Sequence, residues 1–153
     1  MQNRILTVAL SIGLLATLAV VRAAQPQEAR RYIDPRTKAD AALPPFSGGV
    51  FAGNTLYLAG EIGTDANNKV PDTAEAEAKA VLDKVQARLK SAGLTMDDLV
   101  SVQVFCSDVR HYAAFNQVYR TYFSREYPAR AFVGSGTLLF DARFEVQGIA
   151  VKR

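Results

Sequence analysis

The chain has 153 residues, one domain's worth, and most of that length is needed for a single core. Eighteen Lys and Arg stand against 15 Asp and Glu, too small a surplus to form an electrostatic footprint for nucleic acid. One cysteine and one histidine rule out an internal disulfide framework and leave no zinc ligand set beyond carboxylates.

Met1 to Arg4 carries one positive charge, and 5–21 is apolar apart from Thr7, Ser11 and Thr17. Val21-Arg22-Ala23 then supplies small residues where a signal peptidase reads, so 1–23 has the layout of a secretory signal cleaved near Ala23 or Ala24. An uncleaved membrane anchor is the alternative, although 17 residues is the short limit for a spanning helix. Export places the chain in the periplasm or outside the cell. Losing Arg4 and Arg22 leaves 16 basic residues against 15 acidic ones.

Residues 24–45 hold Pro26, Pro35, Pro44 and Pro45 with few large apolar groups, and read as an extended tether with a short edge strand near Arg31-Tyr32-Ile33. The folded domain is expected over 46–153. Strands over 46–51 and 56–60, joined at Gly53-Asn54, predict a hairpin. Over 72–92 the spacing predicts a helix, with Asp72 and Glu75 as a capping box and Gly93 as its stop. Ala78, Val81, Leu82, Val85 and Leu89 share its apolar face. A strand over 100–109 should place Val100, Val102, Val104 and Cys106 on one face, with Ser101, Gln103, Phe105 and Ser107 on the other. A helix over 112–123 follows, then strands over 129–138 and 142–151, with Gly134-Ser135-Gly136 as a bend or bulge.

The order β-β-α-β-α-β-β predicts an α+β domain, a sheet with two helices packed on one face. Phe144, Val146 and Ala150 suit the covered face, which turns Glu145, Gln147 and Ile149 to the other. Arg130 and Phe132 join that second face if Ala131 and Val133 point to the core. Phe105, Phe132 and Ile149 would make it half apolar with no helix left to cover it, a candidate subunit interface.

Chemistry concentrates at the C-terminal end. Pro128 biases Tyr127 toward extended backbone, so Arg130 stands near the start of an apolar strand, and Glu145 interrupts another. A guanidinium fork suits a carboxylate and keeps its charge, while a carboxylate can hold or activate a water. Together they suit a small carboxylated substrate and a water. His111, in a strand-to-helix connection, reads as a surface loop residue, and Cys106 as a small buried hydrophobe. Asn116 reads equally as a pocket amide or as a polar group on a helix face.

The Tyr127-Pro128-Ala129-Arg130 strand with its Glu145-bearing partner resembles the reactive-intermediate (enamine/imine) deaminases, the RidA/YjgF or "endoribonuclease L-PSP" family. The resemblance extends from about Phe46 to the C-terminus. It includes Leu56-Tyr57-Leu58-Ala59-Gly60-Glu61-Ile62-Gly63, Ala92-Gly93-Leu94-Thr95 and Phe115-Asn116-Gln117-Val118-Tyr119. Two positions depart from the family pattern: Phe46 stands where Tyr is usual, and Ala59 where Ser is usual. The resemblance implies a chorismate-mutase-like fold, homotrimers with sites in clefts between subunits, and hydrolysis of 2-aminoacrylate-type imines and enamines to 2-oxo acids and ammonia. No metal or organic cofactor is implied. Arg130 would hold the substrate carboxylate and Glu145 the water, with Phe46, Gly60, Asn116 and Phe132 lining the pocket. Phe46 and Ala59 lack the hydroxyls of the family pattern, which leaves a non-catalytic binder of carboxylated metabolites as the alternative. A ribonuclease, the reading in the family's other name, is the weakest, since the charge is near balance and the sequence pattern shows no aromatic-plus-basic platform for bases.

Overall fold

Helix α1 (Ala74–Ser91) shows how locally this chain specifies its elements. The Thr73 hydroxyl accepts from the Ala76 N–H at 3.1 Å, so the cap stands one residue later than the expected Asp72. At the other end Gly93 adopts φ 78°, a conformation that spares only glycine a steric penalty. Leu94 N–H then bonds Leu89 C=O at 2.9 Å and Gly93 N–H bonds Lys90 C=O at 3.0 Å, a Schellman motif sealed by buried Leu89 and Leu94. The expected stripe of Ala78, Val81, Leu82, Val85 and Leu89 is buried.

The computed structural model describes residues 29–40 and 42–153, and the leader expected over 1–23 lies outside the described residues. α1 and α2 (Tyr112–Tyr119) cover one face of a seven-stranded sheet, the α+β architecture expected. The strands are β1 (Arg31–Ile33), β2 (Gly49–Ala52), β3 (Thr55–Leu58), β4 (Glu61–Ile62), β5 (Leu99–Cys106), β6 (Ala129–Gly134) and β7 (Phe144–Val151). Their order is β1-β2-β3-β7-β5-β6, with β4 also pairing β7, and every pairing is antiparallel except β5 with β6. β1 is the edge strand expected in the tether, and β4 is a short strand the sequence pattern did not reveal. The second helix continues past Tyr119 only as a 3-10 turn, Arg120–Tyr122. β6 stops at Gly134 because Gly136, at φ 75°, turns the chain.

The core lies between helices and sheet, where Phe115, Phe144, Leu56, Leu82 and Leu89 are fully buried. Glu77 on α1 is also fully buried. Its Oε1 accepts from the N–H groups of Arg143 at 2.6 Å and Phe144 at 3.0 Å, and its Oε2 accepts from the Arg143 guanidinium at 2.8 Å. Those bonds pin the start of β7 to the helix.

Two strand faces differ from expectation. The β5–β7 register shifts between Leu99 and Ser101, so Val100 turns outward, 48% exposed, and Leu99 takes the core position beside Val102. On β6, Arg130 and Phe132 do not share the open face with Glu145. They pair with Val102 and Val104 of β5, whose side chains are buried under the helices. Phe132 packs edge-on against Tyr112 at 5.0 Å and Phe115 at 5.6 Å, and that aromatic packing against α2 sets which way the strand faces. The open face instead carries Tyr57, Phe105, Val133, Ile149, Glu145 and the hydrogen-bonded Gln103–Gln147 pair.

Candidate functional site

Arg130 leaves β6 toward α2. Tyr112, Phe115, Asn116 and Tyr119 recur at helical spacing and present one face to the strand. Arg130 Nη2 donates to Asn116 Oδ1 at 2.7 Å. The guanidinium carbon sits 4.5 Å from the centre of the Tyr119 ring and 5.8 to 5.9 Å from those of Tyr112, Phe115 and Phe132, within cation–π range. No described carboxylate forms a salt bridge with it. A half-buried guanidinium so placed keeps fork donors free for an anionic ligand. It opens onto a cleft of about 280 Å³, whose walls include Tyr112, Asn116, Tyr119 and Tyr127.

Tyr119 is only 4% exposed, and its hydroxyl has no hydrogen-bond partner among the described residues. Burial pushes its phenol up to about 12 against the opposing pull of the Arg130 charge, so it stays neutral beside the guanidinium at physiological pH.

A second cluster lies on the other face. Glu145 on β7 pairs with Phe105 of β5 and Ile62 of β4. Gly60 lies directly against it, since a Cβ there would run into the Glu145 carboxylate. Phe46, 56% exposed, precedes β2 at the same end of the sheet, where Ala59 N–H donates to Gly48 C=O at 3.1 Å. α1 holds this end in place: Arg88 Nε and Nη2 donate to Glu61 Oε1 at 2.9 and 2.7 Å, and Lys84 donates to Ile62 C=O at 2.8 Å. The Arg88 guanidinium fits only because Gly48 beneath it has no side chain. Burial raises the Glu61 carboxyl above its usual range, with Lys84 opposing.

Of the six site residues expected from sequence, the fold therefore brings together Arg130, Asn116 and Phe132 in one cluster, and Gly60 and Glu145 in another, with Phe46 at the same end of the sheet as the second. Side chains on opposite faces of one sheet point away from each other. One chain cannot present Arg130 and Glu145 to the same small molecule. Tyr112, Tyr119 and Tyr127 were not anticipated as lining residues, though the i, i+3, i+4, i+7 run from Tyr112 to Tyr119 signals a face aimed at β6.

Among the described residues no cluster of His, Cys, Asp and Glu could hold a metal ion. Cys106 is buried, its thiol donates to Asp108 C=O at 3.0 Å, and burial pushes the thiol up, all unlike a nucleophile. His111 closes the 3-10 turn Val109–His111, half-buried and edge-on to Phe144.

Residues 36–152 match the family profile described as Endoribonuclease L-PSP. A goat (Capra hircus) protein named 2-iminobutanoate/2-iminopropanoate deaminase is 35% identical over 124 residues, covering 80% of this chain and 90% of the relative. The Escherichia coli K12 protein of that name is 34% identical over 119 residues, 75% of this chain and 93% of its own length. The crystal structure of the E. coli yjgF gene product superposes with a TM-score of 0.68 at 34% identity, covering 74% of this chain and 92% of that one. E. coli TdcF with bound serine superposes at 0.69 with 26% identity, covering 85% and 100%.

Proposed function

Because the chain belongs to the Endoribonuclease L-PSP (RidA/YjgF) family, we propose that it hydrolyses 2-imino acids and their enamine tautomers to 2-oxo acids and ammonia, at sites shared between subunits of a homotrimer. The observation that carries this reading is Arg130: a half-buried guanidinium steadied by Asn116, free of any described carboxylate and facing a cleft.

The substrate carboxylate lies in the Arg130 fork, which fixes the imine carbon in space. Glu145 of the partner subunit accepts a proton from water as the water oxygen attacks C2, and the imine nitrogen takes up a proton. The resulting carbinolamine gains a second proton on nitrogen and loses one from its hydroxyl. The C–N bond then breaks, ammonia leaves and the C2 carbonyl forms. An enamine substrate first takes a proton at C3 to become the imine. Glu145 approaches from a second chain because, within one chain, it faces away from Arg130. The apolar run over 5–21 supports export as part of the same proposal.

The test couples the purified protein to an amino-acid oxidase that generates imino acids and follows semicarbazone formation. Wild type should accelerate hydrolysis. Arg130→Ala should lose at least about a hundredfold in kcat/KM, roughly 2.7 kcal/mol of transition-state binding, with its circular dichroism intact. Failure of the wild type on every imino acid tried overturns the enzyme reading. Phe46 and Ala59, which carry no hydroxyl, favour the second reading, a binder of carboxylated metabolites without turnover; calorimetric binding of 2-oxo acids by a protein inert in the assay would establish it.

A further inference from the structure

The cleft beside Arg130 is more aromatic than a three- or four-carbon acid requires, since Tyr112, Tyr119 and Tyr127 all line it.

Tyr112 and Tyr127 flank Arg130 and are 50% and 54% exposed. Each is already fixed on one side: Tyr112 stands edge-on to Phe132 at 5.0 Å, and Tyr127 stacks on Tyr119 at 6.3 Å. Pro128 adds a further apolar wall, and Arg120 stands exposed at the rim. A small acid held on Arg130 would leave the free faces of both tyrosines untouched by ligand. A ring attached at C3 would lie against them and find edge or offset geometry with either.

We propose that this site selects 2-imino acids bearing an aromatic side chain over the three- and four-carbon acids, with Arg130 holding the carboxylate and Tyr112 and Tyr127 clasping the ring. This rests on the reading of Arg130 given above and adds the side-chain class. A dicarboxylate reaching Arg120 is the weaker fit, because an exposed arginine gains little from a solvated partner.

Calorimetry with stable 2-oxo analogues separates the cases: 2-oxobutyrate, phenylpyruvate and 2-oxoglutarate, titrated into wild type, Tyr112→Ala and Tyr127→Ala. Phenylpyruvate should bind wild type at least about tenfold more tightly than 2-oxobutyrate, a typical return for filling an apolar pocket. Both variants should collapse that ratio toward one. Equal or tighter binding of 2-oxobutyrate, tightest binding of 2-oxoglutarate, or a ratio that survives both substitutions overturns the inference and leaves the carboxylate reading standing. Binding of none of the three overturns both.

Discussion

Gly60 shows how an absent side chain can matter as much as a present one. The Glu145 carboxylate occupies the space a Cβ would fill, and it is the far end of a flexible side chain that would yield. Gly60→Ala should therefore leave stability nearly intact while displacing the carboxylate from the water it is proposed to orient. An ångström of misplacement in a catalytic group costs roughly a hundredfold in rate. The expected result is a fall of that order in kcat, with the melting midpoint within a few degrees of wild type, read from the oxidase-coupled assay beside a thermal melt. Arg130 is the complementary case, a charge that must stay. Asn116 occupies part of the fork and four aromatic rings surround its faces, so the guanidinium is oriented before any ligand arrives.

At the scale of elements, the join between α1 and β7 rests on one residue. Glu77 is fully buried and accepts from two backbone N–H groups and from the Arg143 guanidinium. Removing one partner of a buried pair costs about 3 kcal/mol or more. Glu77→Ala should lower the melting midpoint by roughly 10 °C, whereas Glu77→Gln, which keeps a carbonyl oxygen for the N–H groups, should lose less. Calorimetric melts of the two variants decide it, and equal losses would show that the charge alone matters. The sequence made the elements themselves legible: the α1 stripe, its Gly93 stop, the Gly53 hairpin and the alternation of β7 are all local signals. It could not orient β6. In Ala129-Arg130-Ala131-Phe132-Val133 both phases contain apolar residues, so alternation alone does not decide, and the aromatic partners that do decide lie on α2. Val100 misled for a related reason, since the register shift at Leu99 has no signature in a run of alternating valines. The strands and the helix that carry the expected site residues were thus legible in the sequence, but not the faces those residues occupy.

For the whole molecule, that placement changes what assembly has to do. The open face carries Phe105, Val133, Ile149 and Tyr57 around Glu145, apolar surface that a neighbouring subunit would cover. Arg130 stands on the opposite side, near the β6 edge. In a ring of three, each chain can lend Arg130 to one cleft and Glu145 to the next, so that every cleft draws on two chains. On the proposed reading, each chain alone would be half of two sites and the whole of none.

The most direct test of that claim is subunit complementation. Arg130→Ala and Glu145→Gln proteins are each prepared, unfolded together in equal amounts and refolded, and imino-acid hydrolysis is compared with that of each variant refolded alone. A cleft built from the Arg130 of one chain and the Glu145 of its neighbour is intact in about one case in four after random mixing. The mixture should therefore regain about a quarter of wild-type activity from two nearly inactive parents. A mixture no more active than its parents, at a refolding yield equal to that of wild type, would contradict the shared site.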